Sequence, residues 1–260
     1  MPDLSLRLNK DMLVVAPLFT RKLLDSQMHA DDCLEYYNIL DDELVREAHL
    51  RYRHAGAQCT PTNTLDANRS GLQEHGLEAA LVDLNRLGVR LAREAGFEHV
   101  LATVRLAAED VVLEQVAALL LEKPDAIWLI GSDEEHEAII AGIRELTDIP
   151  IITPVVEAFL EGQSADILCL MGEGREKSLA SLGKLGGQTK AALMVCPLLS
   201  EPQYTTERQR RDALGTRADE MADFALEARL LGAQFIGTAA GSSPVLTGVA
   251  AATLLGLDVA

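Results

Sequence analysis

The sequence predicts an α/β protein of the (β/α)8 TIM-barrel class, folded as a single domain over residues 1–260. Three observations predict it. Short apolar runs alternate with longer helical patterns, eight such strand–helix units fill the chain, and no Pro/Gly/Ser-rich linker separates them. The apolar runs are continuous, as expected for parallel strands that are covered on both faces. Eight units at this length are the usual count for a closed barrel.

An open doubly wound sheet is the alternative fold. That fold usually needs fewer units and often carries a glycine-rich fingerprint after its first strand. Here the first predicted strand runs into Pro17-Leu18-Phe19-Thr20, which contains no glycine. The barrel is therefore favoured over the open sheet.

The predicted strands are short apolar runs that end near glycine, proline or hydroxyl residues. They are Met12–Leu18, Ala57–Thr62, His99–Val104, Ala126–Ile130, Ile149–Thr153, Asp166–Met171, Lys190–Cys196 and Ala233–Thr238. The predicted helices begin at acidic or hydroxyl residues, or end at glycine or proline. They are Asp41–Arg53, Leu77–Ala95, Asp110–Glu122, Asp133–Leu146, Val155–Glu161, Glu176–Leu185, Glu207–Leu231 with a break near Gly215, and Val245–Leu257.

The composition limits the cellular locations and the classes of partner that we expect. Hydrophobic residues make up 48% of the chain, and the formal net charge of −17 argues against nucleic acid and anionic membranes as partners. The N-terminal segment lacks a signal-peptide pattern, and the run Met12–Phe19 is too short to span a bilayer. The four cysteines form no CxxC pair. We therefore expect a reduced, cytoplasmic location with no membrane contact.

The C-terminal region carries no charged residue from Leu230 to Leu257. Ser243 followed by Pro244 is a typical helix start, and the helix Val245–Leu257 has no polar face. One face of a barrel helix normally meets water, so an uncharged outer face indicates a partner. We expect a homo-oligomer or a partner protein bound through this helix.

The loop before that helix is a candidate ligand site. Residues 239–242 are small, so backbone N–H groups near the helix start could face a ligand. The alternative, a simple turn of small residues, stays open. The predicted strand ends carry no histidine and no recognisable metal motif.

Several stretches resemble the homocysteine S-methyltransferase family, (β/α)8 barrels that transfer a methyl group to homocysteine sulfur. The clearest is DDELVREAHLRYRHAGAQCTPTNTLDAN, from Asp41 to Asn68, which is similar to the family's LVREIHxxYxxAGAD helix and TNTFxAN strand end. The resemblance continues to Ala95 and returns at Leu231–Pro244, where the family has IGGCCGTTP. It implies the same barrel fold.

The departures from the family fall on the residues that carry its chemistry. The family holds zinc with three cysteines, and the resemblance places these at Gly172, Ala239 and Ala240. Its acidic residue at the end of the fourth strand corresponds to Gly131. The residues left as ligand-binding candidates are Thr20, Asn63, Thr64, Asn68, Gly237, Thr238, Gly241, Ser242 and Ser243. No catalytic residue is assigned, and we expect no zinc and no other cofactor.

Two functions remain open from the sequence. The first is a pseudoenzyme, a repurposed barrel of methyl-transfer metabolism that binds a small molecule or a partner protein. The second is a methyltransferase that activates a thiol or another acceptor without zinc. A bound corrinoid is not implied, since the chain has no DxHxxG signature of a cobalamin-binding module. A separate corrinoid protein stays open as a partner.

Overall fold

The computed structural model shows eight parallel strands in a barrel with helices between them, which confirms the predicted fold class. It describes residues 3–8, 10–20, 31–131, 136–155, 164–199 and 207–258, without the side chains of 207–216, 257 and 258. The strands are β1 Leu13–Val14, β2 Cys59–Pro61, β3 His99–Arg105, β4 Ala126–Ile130, β5 Ile151–Pro154, β6 Ile167–Gly174, β7 Ala192–Leu198 and β8 Phe235–Ile236.

Helices follow the strands along the described chain. They are α1 Tyr37–Leu40, α2 Asp42–His54, α3 Arg69–Gln73, α4 Leu81–Glu94, α5 Glu109–Leu120, α6 His136–Leu146, α7 Arg175–Leu185, α8 Glu207–Leu230 and α9 Pro244–Asp258, with short 3-10 helices at Leu4–Leu6 and Glu78–Ala80.

The barrel closes between its first two strands. The continuous sheet runs in the order β1-β8-β7-β6-β5-β4-β3-β2. Across the remaining gap, Gln58 N–H donates to the Val14 carbonyl and Ala16 N–H donates to the Cys59 carbonyl, both at 2.9 Å. A single parallel bridge, Val15 with Cys59, joins the two edges. The exposed strand edges of an open sheet are thus largely removed.

Two apolar layers explain why the strands read as continuous apolar runs. In β3, Val100, Ala102 and Val104 face the helices, whereas Leu101 packs into the barrel interior. The interior also holds Trp128, together with one to three residues from each of the other strands. Leu4 of the N-terminal 3-10 helix belongs to the same interior cluster. Because both strand faces are buried, apolar residues occupy consecutive positions.

Several predicted boundaries are corrected. The first and eighth strands are shorter than their apolar runs, because only Leu13 and Val14 of β1 pair with Phe235 and Ile236 of β8, the two β8 residues that also pair with β7. The helix predicted from Leu77 begins at Leu81, after a 3-10 turn. No break occurs near Gly215, since α8 is continuous and one glycine costs a helix only about 1 kcal/mol. The predicted helix Val155–Glu161 and the start at Asp133 lie largely outside the described residues.

The C-terminal helix α9 packs one face onto the barrel and leaves another uncovered. Leu246, Ala250 and Leu254 are buried in the outer apolar layer. Val245 and Leu255 are 53% and 64% exposed. Among the described residues no helix combines the length and apolarity needed to cross a membrane.

Candidate functional site

A cavity of about 700 Å³ opens at the C-terminal ends of β1, β2 and β3. The loop after β2 and the segment 32–35 complete its wall. Thr20, Asn63, Asn68 and Ala240, four of the residues singled out from the sequence, line it. Small-molecule sites commonly measure about 300–1,000 Å³, so the cavity has the size and the place of a ligand site on this fold.

A hydroxyl network fixes the wall where β2 ends. The Oγ1 atoms of Thr62 and Thr64 form a hydrogen bond of 2.6 Å. Thr103 in β3 donates its N–H to Thr62 Oγ1 at 3.0 Å, and its own hydroxyl donates to the Thr62 carbonyl at 2.8 Å. Thr64 Oγ1 donates to the Thr103 carbonyl at 2.8 Å. The Thr64 hydroxyl is therefore used within the fold, and this candidate holds the wall in place.

Asn63 connects the same wall to the helix α1. Its Nδ2 donates to the Leu34 carbonyl at 2.9 Å and to Asn38 Oδ1 at 3.0 Å. Asn38 in turn donates to the Asn63 carbonyl at 2.8 Å and to the Leu84 carbonyl at 3.1 Å. Because Nδ2 bonds a carbonyl, the amide orientation of Asn63 is determined. Its Oδ1 is buried and accepts no hydrogen bond from the described residues.

Asn68 has a local structural role. Its Oδ1 accepts the Gly71 N–H at 2.9 Å and so caps the short helix α3. Thr20 differs, because its buried Oγ1 has no hydrogen-bond partner in the described part of the chain. Thr20 also packs against Gly241, where an added Cβ would lie 2.9 Å from Thr20 Oγ1.

The cavity wall also carries ionisable residues that were not singled out from the sequence, among them Cys33, Glu35, Asp66 and Arg105. Glu35 Oε1 accepts the Asp66 N–H at 2.9 Å, and the Cys33 thiol points to Glu35 Oε2 at 3.6 Å. Burial raises the pKa of Glu35. Burial, followed by the nearby Glu35 charge, raises the pKa of the Cys33 thiol to about 11. Cys33 is thus a protonated thiol near neutral pH.

Arg105 ends β3 at the mouth of the cavity. Its Nη2 donates to Asp66 Oδ2 at 2.8 Å, and its Nε bonds Asp66 Oδ1. The guanidinium is therefore paired with one carboxylate through two hydrogen bonds. Asp66 lies inside the TNTLDAN stretch, so a search for charged residues at strand ends would have found both partners. Cys33 and Glu35 carry no such signal, because they lie between the predicted strand Met12–Leu18 and the predicted helix Asp41–Arg53, outside any predicted element.

The opposite side of the rim is packed with small residues. An added Cβ on Gly237 would lie 2.5 Å from Cys196 Sγ, so only glycine fits there. The Ser242 carbonyl accepts a hydrogen bond from the Tyr52 hydroxyl at 2.5 Å. Ser243 Oγ accepts the Val245 N–H at 3.3 Å and caps α9, as predicted. Thr238 Oγ1 is buried without a partner among the described residues.

The positions that the resemblance matches to the family's zinc cysteines carry no metal-binding side chain. Gly172, Ala239 and Ala240 have no side-chain donor, and across the described chain no three His, Cys, Asp or Glu side chains come together as a metal site. Gly172 lies where the β6–β7 register shifts and has a φ of +80°. Met171, one residue earlier, packs against the barrel interior. The residues present therefore do not fit zinc.

Cys169 and Cys196 do not replace the missing ligands. Both are buried in the barrel interior. A hydrogen bond to Cys196, together with burial, raises the pKa of the Cys169 thiol. Cys196, at a predicted strand end, is 1% exposed and is a core residue. Both thiols are buried, and the raised pKa of Cys169 disfavours the thiolate that a metal needs, so the pair is poorly suited to bind a metal.

The fold and the cavity define the class: a (β/α)8 barrel with a ligand-sized cavity at the C-terminal ends of its strands. The family model for homocysteine S-methyltransferases matches residues 17–119, which is less than half of the chain. The resemblance stated from the sequence is thereby confirmed. No curated protein matches the sequence.

Solved structures are similar over nearly the whole chain. The oxidised form of the homocysteine methyltransferase MmuM from Escherichia coli is 21% identical, with a TM-score of 0.76 over 94% of this chain and 96% of that one. Its metallated form is 20% identical with a TM-score of 0.77 over the same shares. A DHDPS from Cyanidioschyzon merolae is 12% identical, with a TM-score of 0.56 over 95% of this chain and 76% of that one. At these identities the likeness concerns the fold.

Proposed function

We propose that this protein is a homocysteine S-methyltransferase-like barrel that has lost the thiol-activating zinc site and binds a small organic molecule in the cavity beside β1–β3. One contrast carries the proposal. The rim positions matched to the zinc cysteines are Gly172, Ala239 and Ala240, whereas the cavity wall around Asn63 keeps a dense hydrogen-bond network.

The chemistry explains why the zinc matters. The nucleophile in thiol methylation is the thiolate, and a free thiol with a pKa of about 8.5 is mostly protonated at neutral pH. A bound cation stabilises the thiolate, and catalytic zinc needs three protein ligands with an open position. Without those ligands, zinc-dependent methylation of homocysteine has no site.

Two measurements on the purified chain test the loss of the zinc site. They are elemental analysis for zinc and a homocysteine methylation assay with a sulfonium methyl donor. We expect far less than one zinc per chain and no methylation that a chelator abolishes. One zinc per chain, removed by a chelator together with activity, would overturn the proposal.

Two triple variants test where the ligands would have been. Ala239→Cys and Ala240→Cys are combined with Met171→Cys in one variant and with Gly172→Cys in the other. We expect zinc affinity from the Met171→Cys combination, because Met171 faces the interior and Gly172 has a positive φ that disfavours a side chain. If both variants fold and neither binds zinc, the assignment of these positions is wrong.

Methyl transfer without zinc, to a thiol or another acceptor, is the second candidate. It is supported by the buried Glu35 carboxyl, whose raised pKa suits a general base. A separate corrinoid protein would then be a candidate methyl donor. Methylation that persists in chelator and disappears in Glu35→Gln would favour this function over the first.

The location and assembly of the protein are also proposals. The four cysteines are free and buried, which suits a reducing, cytoplasmic setting. The exposed apolar residues of α9, Val245 and Leu255, support self-association. In a chain of net charge −17, a second copy is repelled least at a surface without charges.

A further inference from the structure

We infer that the cavity beside β1–β3 takes a small organic cation whose nitrogen carries N–H groups, such as a primary ammonium. The inference rests on the proposed ligand-binding function and names the class of ligand. It follows from the unused hydrogen-bond acceptors and the charge of the cavity wall.

The first observation is a pair of buried acceptors without donors. Asn63 is 1% exposed, and its Oδ1 has no donor among the described residues. The amide cannot be turned around, because its Nδ2 donates to the Leu34 carbonyl at 2.9 Å. Thr20 Oγ1, in the same wall, is likewise without a partner in the described chain. Buried acceptors in native proteins are normally satisfied, so a bound N–H donor explains both.

The second observation is the charge of the wall. The carboxylates among the described lining residues are Asp32, Glu35, Asp66 and Glu74. Arg105 is the one lysine or arginine among these described residues, and its two hydrogen bonds to Asp66 neutralise that pair. The remaining wall is acidic and is complementary to a positive charge.

These observations exclude other ligand classes. An anion is repelled by the acidic wall. A quaternary ammonium satisfies the charge but has no N–H group, so the two acceptors stay unpaired. A bare metal ion needs converging ligands, and the described residues contain no such group. A protonated amine satisfies both requirements.

The test uses the full-length protein and n-butylammonium as the probe, with butyrate and tetramethylammonium as its charge and donor controls. Binding is followed at pH 8 by ligand-observed NMR titration. We expect n-butylammonium to bind at least about tenfold more tightly than either control, since a charge-assisted hydrogen bond is worth about one order of magnitude. Equal or tighter binding of butyrate or tetramethylammonium would overturn the inference.

Two variants locate the binding. Glu35→Gln keeps an acceptor for the Asp66 N–H and removes the charge, and we expect it to weaken n-butylammonium binding about tenfold. Thr20→Val removes an unpartnered hydroxyl, and we expect a loss of about threefold. Matched controls are Glu173→Gln and Thr153→Val, both outside the lining of this cavity, which should bind as the unchanged protein does. Unchanged binding in Glu35→Gln would refute the inference.

The outcomes separate this inference from the proposed function. Absence of zinc with no binding of n-butylammonium overturns the ligand class alone. One zinc per chain overturns the proposed function, whatever the amine does.

Discussion

The two sides of the barrel rim differ in their side chains: the β1–β3 side is rich in hydrogen-bonded polar residues, and the β6–β8 side carries small residues. On the β1–β3 side, Thr62, Asn63, Thr64 and Thr103 bond one another or the backbone and enclose a cavity. On the β6–β8 side, the positions that matter in the family are glycine and alanine. The family model matches residues 17–119, which include β2, β3 and the loops after β1 and β2, and it ends before β6–β8.

The comparison separates what maintains a barrel from what gives it chemistry. The fold match extends over 94% of the chain, because the two apolar layers are formed by all eight strands. Chemistry depends on a few rim side chains, and these can change without disturbing the layers. The side that retains its polar residues is therefore where a function should be sought.

The largest expected effect on stability comes from removing hydrogen bonds on the β1–β3 side of the rim. Asn38→Leu removes the hydrogen bond that Asn38 Oδ1 accepts from Asn63 and the two that its amide donates to the Asn63 and Leu84 carbonyls. All are buried, so we expect a loss of about 3 kcal/mol in the free energy of unfolding. The matched change on the other side is Thr238→Val, which removes a hydroxyl that has no partner in the described chain. It should change stability by less than about 0.5 kcal/mol. Equal losses in chemical denaturation would contradict the contrast between the two sides.

Lowering the pH should destabilise the folded protein through His49, a buried histidine that packs beneath the β1–β3 side of the rim. His49 Nδ1 lies 3.0 Å from Thr60 Oγ1, and burial lowers the pKa of His49 from 6.5 to about 3. Below pH 6.5 the unfolded chain binds a proton that the folded chain excludes, so stability falls as the pH falls toward about 3.

Between pH 6.5 and pH 5 this histidine should remove about 2 kcal/mol of stability. The measurement is urea unfolding against pH for the unchanged protein and for His49→Gln. The variant should show a shallower pH dependence over this range. Identical slopes would show that His49 is not held neutral.

A smaller effect is expected on the β6–β8 side from filling its tightest point. Gly237→Ala places a methyl group against Cys196 Sγ, and we expect a loss of about 1.5 kcal/mol from overpacking. Adding Cys196→Ala should restore part of that stability, because it removes the atom that is too close. Thermal unfolding of the two single variants and the double variant measures the coupling. Simple additivity would count against this contact.

The smallest effect on stability is expected at the exposed face of α9. Val245→Lys and Leu255→Lys together should change the free energy of unfolding by less than about 0.5 kcal/mol, because both side chains are exposed. If the chain self-associates there, the double variant should be monomeric by light scattering where the unchanged protein is not. A monomeric unchanged protein at micromolar concentration would refute the association.

The candidate site was predicted only in part. The ligand-binding candidates Thr20, Asn63 and Asn68 line the cavity, as does Ala240 from the degenerate zinc positions, and Ser243 caps α9. Thr64 does not line the cavity, and its hydroxyl donates to the Thr103 carbonyl. Cys33 and Glu35 were not predicted, because tertiary hydrogen bonds of Glu35, Asn38 and the Leu34 carbonyl bring the segment before α1 to the strand ends.

The sequence by itself determined the class of fold, most of the helices and strands, and the absence of donor side chains at Gly172, Ala239 and Ala240. Those features are local, since they depend on periodicity, capping residues and the chemistry of single side chains. The tertiary structure alone decided that Cys33, Glu35, Asp66 and Arg105 share one cavity. It also decided that Asn63 Oδ1 and Thr20 Oγ1 lack donors. Such facts depend on distances between residues far apart in the chain, which no local pattern encodes.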